Sequence, residues 1–271
     1  MEMETGQATI LEMKKENVKE LAQLLKTIVF RDFGTIYSYS GETPGLKFTV
    51  DDGACQQANA FLNTSFFANF KAKEDIVLKL PMKTLFEFLS MTEGNTSSVR
   101  FTYSGMFEPL KMVIEEPDGC IIRARIQTSV TDQVLDFDFC GEKVLATYLL
   151  KTQVLKEIFK DFDDTSGRVK IEFTKTSLNF STLGEVGEIT VSIPSRSLQM
   201  ETIKCVEEVA FSYQLALLQK MNSALALASK VVFRVDERGV LCCQFTVEHG
   251  ENRQSYIEFL TVPSDDTEEE E

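Results

Sequence analysis

Residues 128–134 read TSVTDQV. The stretch is polar and carries no apolar stripe at helical spacing, and the same order of elements is legible on either side of it. It reads as a connector. The chain then divides into residues 1–127, the connector 128–134, residues 135–263 and a tail over 264–271. Upstream, a strand over 8–13 precedes a helix over 17–28. Val18, Leu21, Leu24, Leu25 and Ile28 share one face of that helix, and Lys15, Lys19, Gln23 and Lys26 fall on others. Strands over 35–39 and 46–50 flank a turn with Gly41, Pro44 and Gly45, and 57–70 continues as strand. Pro81 opens a second helix through Leu85, Phe86, Phe88 and Leu89. Strands over 98–103, 110–115 and 120–127 close the half. Val99, Phe101 and Tyr103 alternate with Arg100 and Thr102, as in a half-buried strand.

Downstream the order begins again. Residues 135–140 and 144–149 read as extended. Residues 152–162 form a helix with Val154, Leu155, Ile158 and Phe159 on one side. Strands over 169–173, 178–180 and 188–193 enclose a turn with Gly184 and Gly187. A helix over 212–221 presents Leu215, Leu217 and Leu218, and strands over 231–235, 240–247 and 254–262 finish the chain. Each half has two helices and eight or nine strands, an α+β pattern with antiparallel sheets. The candidate sheet edges are 110–115 and 178–193.

The 271 residues, 43% apolar with 21 Phe, suffice for one large or two ordinary cored domains. No apolar run approaches the ~20 residues of a membrane span, and the first residues lack the pattern of a secretory signal. Cys55, Cys120, Cys140, Cys205, Cys242 and Cys243 form no C-x-x-C pair. They read as reduced, packed thiols of a nuclear or cytosolic protein, with no metal or cofactor implied. The formal net charge is −14, six of it from the SDDTEEEE tail, which composition marks as disordered. The helical stretches 14–28, 81–92, 151–160 and 212–223 run the other way. Their charges are +2, 0, +2 and +1, leaving −19 for the rest. That split suggests one surface able to face a polyanion on a protein that otherwise repels it.

This order of elements resembles the sliding-clamp fold of PCNA. The segments 57–61 (QANAF), 135–140 (LDFDFC), 180–184 (FSTLG) and 258–263 (EFLTVP) are similar to those of Rad-one-type subunits of the nine-one-one checkpoint clamp. The resemblance runs from about residue 8 to residue 263. It implies two similar domains with sheets outside and helices lining a hole. It further implies a 1:1:1 ring with Rad-nine-like and Hus-one-like subunits, set by a clamp loader onto double-stranded DNA or primer-template junctions in the nucleus. No sequence preference and no membrane are implied. The ring would serve checkpoint signalling and repair, with flap endonuclease and DNA ligase among its clients. Glu20 and Glu87 depart from the family pattern, standing where PCNA is basic.

On that resemblance Lys19, Lys26, Lys160 and Lys220 match basic positions of the inner helices, and Lys15, Lys83 and Lys156 lie on the same elements. A lysine ammonium attracts phosphate without fixing register, which suits a sliding ring. The plainer reading is a solvated helix face, with Lys15 and Lys19 balanced by Glu16 and Glu20. Val50, Ala54, Val134, Leu260, Val262 and Pro263 match the surface on which clamps take partner peptides; the alternative is core packing. Asp136 and Asp138 raise a metal-dependent 3′–5′ exonuclease, but alternation sets both opposite Leu135, Phe137 and Phe139, and no further carboxylates cluster with them. Gly184 and Gly187 lack the Lys-Ser/Thr of a phosphate loop. His249, the sole histidine, has no catalytic pattern around it. The expected function is therefore a non-catalytic checkpoint-clamp subunit, with the exonuclease and a homotrimeric replicative clamp as alternatives.

Overall fold

The computed structural model describes residues 8–92, 96–129, 137, 139–162, 165–185, 187–250 and 253–264. Two compact units account for them. The first holds the described residues of 1–50, 59–135 and 249–255, the second those of 51–58, 136–248 and 256–271.

The first unit begins with β1 (Leu11–Lys15) and α1 (Val18–Lys26). Five strands follow: β2 (Phe33–Tyr39), β3 (Gly45–Asp52), β4 (Gln56–Asn63), β5 (Asn69–Ala72) and β6 (Ile76–Pro81). Then come α2 (Met82–Leu89) and β7 (Ser98–Tyr103), β8 (Leu110–Glu115) and β9 (Ile121–Ile126). The second unit repeats that grammar. It opens with β10 (Val144–Lys151) and α3 (Thr152–Asp161). Its five strands are β11 (Arg168–Phe173), β12 (Ser177–Gly184), β13 (Gly187–Pro194), β14 (Met200–Cys205) and β15 (Val209–Gln214). The helical turns α4 (Leu215–Gln219) and α5 (Asn222–Leu227) precede β16 (Lys230–Asp236), β17 (Leu241–Glu248) and β18 (Gln254–Thr261).

Pairing repeats as well. The first unit has strand orders β5-β1-β7-β8-β9 and β4-β3-β2-β6; the second has β14-β10-β16-β17-β18 and β13-β12-β11-β15. The ladders between β1 and its neighbours, and between β10 and its neighbours, are antiparallel. Inward residues are apolar at every second position, as in β8, where Leu110, Met112 and Ile114 are buried. Helix α1 buries Val18, Leu21, Ala22, Leu24 and Leu25 and packs against α2. Helix α3 buries Thr152, Leu155, Ile158 and Phe159 and packs against α5.

Several expectations are corrected. Lys15 belongs to β1, because its backbone pairs with Val99 before the chain turns into α1. The helix expected over 212–221 is instead the end of β15, then α4 and α5, since Ser212 pairs with Lys170 on β11. Strand β6 and strand β14 are additional elements. The expected edge at 110–115 is interior: β8 lies between β7 and β9, and among the described residues β9 is the open edge on that side. In the second unit β13 is an edge, within the expected 178–193 range. Phe137, Phe139 and Cys140 lie outside any strand; Asp136, Asp138 and most of the 128–134 connector fall outside the described residues.

Two close approaches shape the cores. A Cβ built on Gly34 of β2 would stand 2.5 Å from Cγ of Met82 and 2.6 Å from the Thr49 carbonyl oxygen, so glycine lets α2 lie on the strand. The 236–240 turn depends on the fully buried Asp236, whose carboxylate accepts from the Arg238 and Val240 N–H groups at 3.0 and 2.9 Å and from the Arg238 guanidinium at 2.8 Å.

Replacing Gly34 by Ala is expected to cost about 1–3 kcal/mol through overpacking, read as a lower midpoint in urea with the slope unchanged. The cysteines divide by environment. Cys55 and Cys120 are exposed, whereas Cys242 and Cys243 are buried. Burial pushes the Cys242 thiol up to about 12 and raises that of Cys243. A thiol reagent at pH 8 should therefore label Cys55 and Cys120 in the folded protein, and Cys242 and Cys243 only after unfolding, as mapped by peptide mass.

Candidate nucleic-acid interface

The helices project cations because their apolar stripes are committed to the cores. In α1 the stripe leaves Lys19, Gln23 and Lys26 exposed at i, i+4 and i+7. Asn17 caps the helix, its Oδ1 accepting from the Glu20 N–H at 3.3 Å, and Lys26 lies in the last turn, where the helix dipole favours a cation. On α2, Lys83 and Glu87 share the exposed face, so that helix offers no net charge. On α3, Gln153, Glu157, Lys160 and Asp161 are exposed and Lys156 is half-buried, so this helix too carries as many carboxylates as cations. Among the described residues no carboxylate oxygen lies within 4 Å of the ammonium of Lys19, Lys26, Lys83, Lys156 or Lys160.

The other two expected cations are engaged. Lys15 is 4% exposed. Its Nζ stands 2.6 Å from Glu20 Oε2 and 4.0 Å from the centroid of the Phe66 ring. Lys220 follows α4 and forms an ion pair with Asp52. Glu20, noted in the sequence as a departure from the clamp pattern, is therefore the counter-ion of a buried lysine. His249 belongs to the same cluster, its ring centroid 4.9 Å from that of Phe66. Burial lowers the His249 pKa, with the nearby Glu20 opposing and Lys15 and Arg253 assisting. The half-buried imidazole packs against the Phe66 ring.

The expected peptide-binding residues separate. Val50 and Leu260 are interior, at 0% and 4% exposure. Ala54 is exposed, Val262 and Pro263 are partly so, and Val134 lies outside the described residues. The Val262 N–H donates to the Cys55 carbonyl at 3.0 Å, which holds the end of the chain against the turn that carries Ala54. The buried Gln56 donates through Nε2 to the Leu217 carbonyl and to Thr261 Oγ1, each at 3.0 Å.

Cations outside the helices were not singled out from sequence. Arg100, Lys111, Arg123 and Arg125 lie on the solvent face of the first unit's sheet. The alternation of Arg123 and Arg125 in IIRARI was the available signal.

A sequence profile of the family described as repair protein Rad1/Rec1/Rad17 matches residues 10–247. The chain belongs to this Rad1 family. It is 59% identical over 269 residues to the cell cycle checkpoint protein RAD1 homolog mrt-2 of Caenorhabditis elegans, covering 99% of this chain and all of that protein. It is 30% identical over 264 residues to the cell cycle checkpoint protein RAD1 of Homo sapiens, covering 94% and 92%. A more distant match, 24% over 236 residues and 84% of this chain, is proliferating cell nuclear antigen 1 of Plasmodium falciparum. The α+β fold with antiparallel sheets and few helices is thus the PCNA-like sliding-clamp fold, as the sequence implied.

For a Rad1-family chain the two classes of lysine should behave oppositely. Lys15→Ala is expected to cost about 1–3 kcal/mol, since it strands Glu20 and uncovers Phe66. Lys19→Ala should change stability by less than about 0.5 kcal/mol. Chemical denaturation of the two variants checks this.

Proposed function

We propose that the chain is a non-catalytic subunit of a heterotrimeric clamp that encircles DNA and supports checkpoint signalling and repair in the nucleus. In this reading residues 1–127 and 135–263 are its two clamp domains, 128–134 connects them and 264–271 is an acidic tail. The observation that carries the reading is the set of helix ammonium groups without a carboxylate partner among the described residues, Lys19, Lys26, Lys83, Lys156 and Lys160, on a chain of net charge −14. Retention by a ring is topological, so weak phosphate contacts suffice, and lysine supplies them without reading bases. Lys15 and Lys220 act differently: they are neutralised by Glu20 and Asp52 and support the fold. The names of the relatives, checkpoint proteins in worm and human, support the signalling role.

The open edges β9 and β13 are the ring-forming surfaces of this reading. An unpaired strand needs a neighbour, and pairing edge to edge with two other clamp subunits satisfies both. A clamp loader would set the ring at primer-template junctions, and flap endonuclease and ligase would be clients at the surface around Ala54, Val262 and Pro263. Among the described residues no three His, Cys, Asp or Glu side chains converge as a metal site. A nuclease assay with Mg²⁺ or Mn²⁺, on the chain and on an Asp136→Asn/Asp138→Asn variant, tests the catalytic alternative directly; activity lost in the variant would overturn the non-catalytic reading.

The decisive measurement is retention of the loaded ring on closed DNA across a salt series. Replacing Lys19, Lys26, Lys156 and Lys160 by Ala should lower retention and reduce the salt slope by about one for each phosphate no longer neutralised. The Lys83→Ala change should add little, because Glu87 shares its face. A salt slope identical to that of the parent ring would overturn the DNA-facing assignment.

A further inference from the structure

The solvent face of the β5-β1-β7-β8-β9 sheet holds a concentration of positive charge that the helix surface does not explain. Arg100 on β7 lies opposite Val113 on β8, which lies opposite Arg123 on β9. Lys111 on β8 lies directly opposite Arg125 on β9. Arg123 and Arg125 are exposed and, two residues apart on one strand, share that face about 7 Å apart. Like charges directly opposite on neighbouring strands are destabilising. Yet among the described residues no carboxylate lies within 4 Å of Arg100, Lys111, Arg123 or Arg125. On other sheets of the chain some cations are matched, Lys170 to Glu172 at 2.7 Å and Lys230 to Glu201 at 2.9 Å, while Lys79 on β6 and Lys204 on β14 have no carboxylate within 4 Å among the described residues. What sets this face apart is clustering: Lys111, Arg123 and Arg125 lie on β8 and β9, the last two strands of the sheet, with Arg100 one strand further in.

We infer that β9 selects an acidic neighbour strand, with carboxylates at alternate positions facing Arg123 and Arg125, and discriminates against a second copy of this chain. The inference rests on the ring reading above and names the chemistry of the partner at one of its edges. An antiparallel strand added to β9 continues the sheet, so its outward side chains stand beside Arg123 and Arg125. Arginine forks bind carboxylates bidentately and in fixed register, which suits a docked strand rather than a sliding polyanion. Two neighbouring carboxylates would also relieve the repulsion between Lys111 and Arg125. No exposed aromatic ring accompanies the cations among the described residues of this face, so it lacks the stacking platform of a single-strand binder.

The chain's own alternative supplies too little. The edge assigned to its other neighbour, β13, turns Glu188, Thr190 and Ser192 to solvent, with Ile189, Val191 and Ile193 on the opposite side. A second copy pairing β13 on β9 therefore brings one carboxylate to at least three cations. Its Thr190 position is a neutral hydroxyl sharing a 2.9 Å hydrogen bond with Ser181. Unlike neighbours are favoured over self through charge, by the same logic that sets pairing in coiled coils.

Sedimentation of the full chain tests this without knowing the neighbour's residues. Thr190→Glu/Ser192→Glu installs two carboxylates on the outer face of β13. That variant should self-associate at least about tenfold more tightly than the parent chain, and less so as salt rises. Adding Arg123→Glu/Arg125→Glu should reverse the gain. A Thr190→Gln/Ser192→Gln variant, equal in size but neutral, should stay like the parent, and thermal melts establish that all variants fold. If the Glu variant sediments as the parent does, or the Gln variant associates equally, the inference is overturned. A second arm mixes the chain with the two other clamp subunits. A ring formed by the parent but at least tenfold less by Arg123→Glu/Arg125→Glu supports the inference. A ring formed equally by both overturns it and leaves the ring reading standing. If even the parent forms no ring, that reading fails, and the self-association arm still decides the charge selection. Loss of duplex-DNA binding by Arg123→Glu/Arg125→Glu, with assembly intact, would assign the face to nucleic acid and overturn the inference as well.

Discussion

The pairing of β1 between β5 and β7 is the constraint on which the first unit depends, and the pairing of β10 between β14 and β16 plays the same part in the second. Each central strand has both rows of backbone groups satisfied by partners distant in sequence. Each also launches a helix almost at once: Val18 begins α1 three residues after Lys15 ends β1, and Thr152 begins α3 directly after Lys151. With so short a connection the helix must pack back on the unit, apolar stripe inward. The polar stripe, with Lys19 and Lys26 on α1 and Lys160 on α3, is consequently turned to solvent.

Charge in this chain is sorted by that geometry. Where a cation falls at a strand end or between two short helices it is neutralised, as Lys15 is by Glu20 and Lys220 by Asp52. Buried charge needs such a partner, because desolvation is costly. Asp236 meets the same requirement through the Arg238 guanidinium and two backbone N–H groups. Where the surroundings are open, lysines stand on the helices without a carboxylate among the described residues, and arginines line the β9 edge. The two exposed sets differ in kind: mobile point charges on helices, planar forks on a sheet. Their chemistry suits two kinds of contact, one that slides and one that docks.

The repeated architecture follows from local signals as far as the helices and the clean strands are concerned. Alternation in SVRFTY and LKMVIE places β7 and β8 with their bounds, and Asn17 and Pro81 mark the starts of α1 and α2. The signal fails where neighbours decide. Residues 212–214 precede a Leu-rich run that looks helical, but Ser212 is claimed by the ladder to β11. Residues 110–115 look like a sheet edge, yet the strand legible over 120–127 pairs beyond them as β9.

The sequence by itself determined the α+β class, the doubling of the pattern and the apolar stripes of α1, α2 and α3, because these depend on residue type at fixed spacing. The lysine surplus expected on the helices shrinks in the fold, because Lys14 and Lys15 belong to β1, Lys151 to β10 and Lys220 to the α4–α5 connection. Tertiary structure decided which cations are free. Lys15 and Lys19 are four residues apart and chemically identical, but one ends a strand under Phe66 and the other stands on an exposed helix face. The same holds for Val50 and Leu260, whose apolar character fits a pocket wall or a core and which the folded chain places in the core. Arg123 and Arg125 gain their meaning only from β9 being an edge, a property of strand order rather than of the residues themselves. Long-range pairing sets strand order, and no local spacing encodes it.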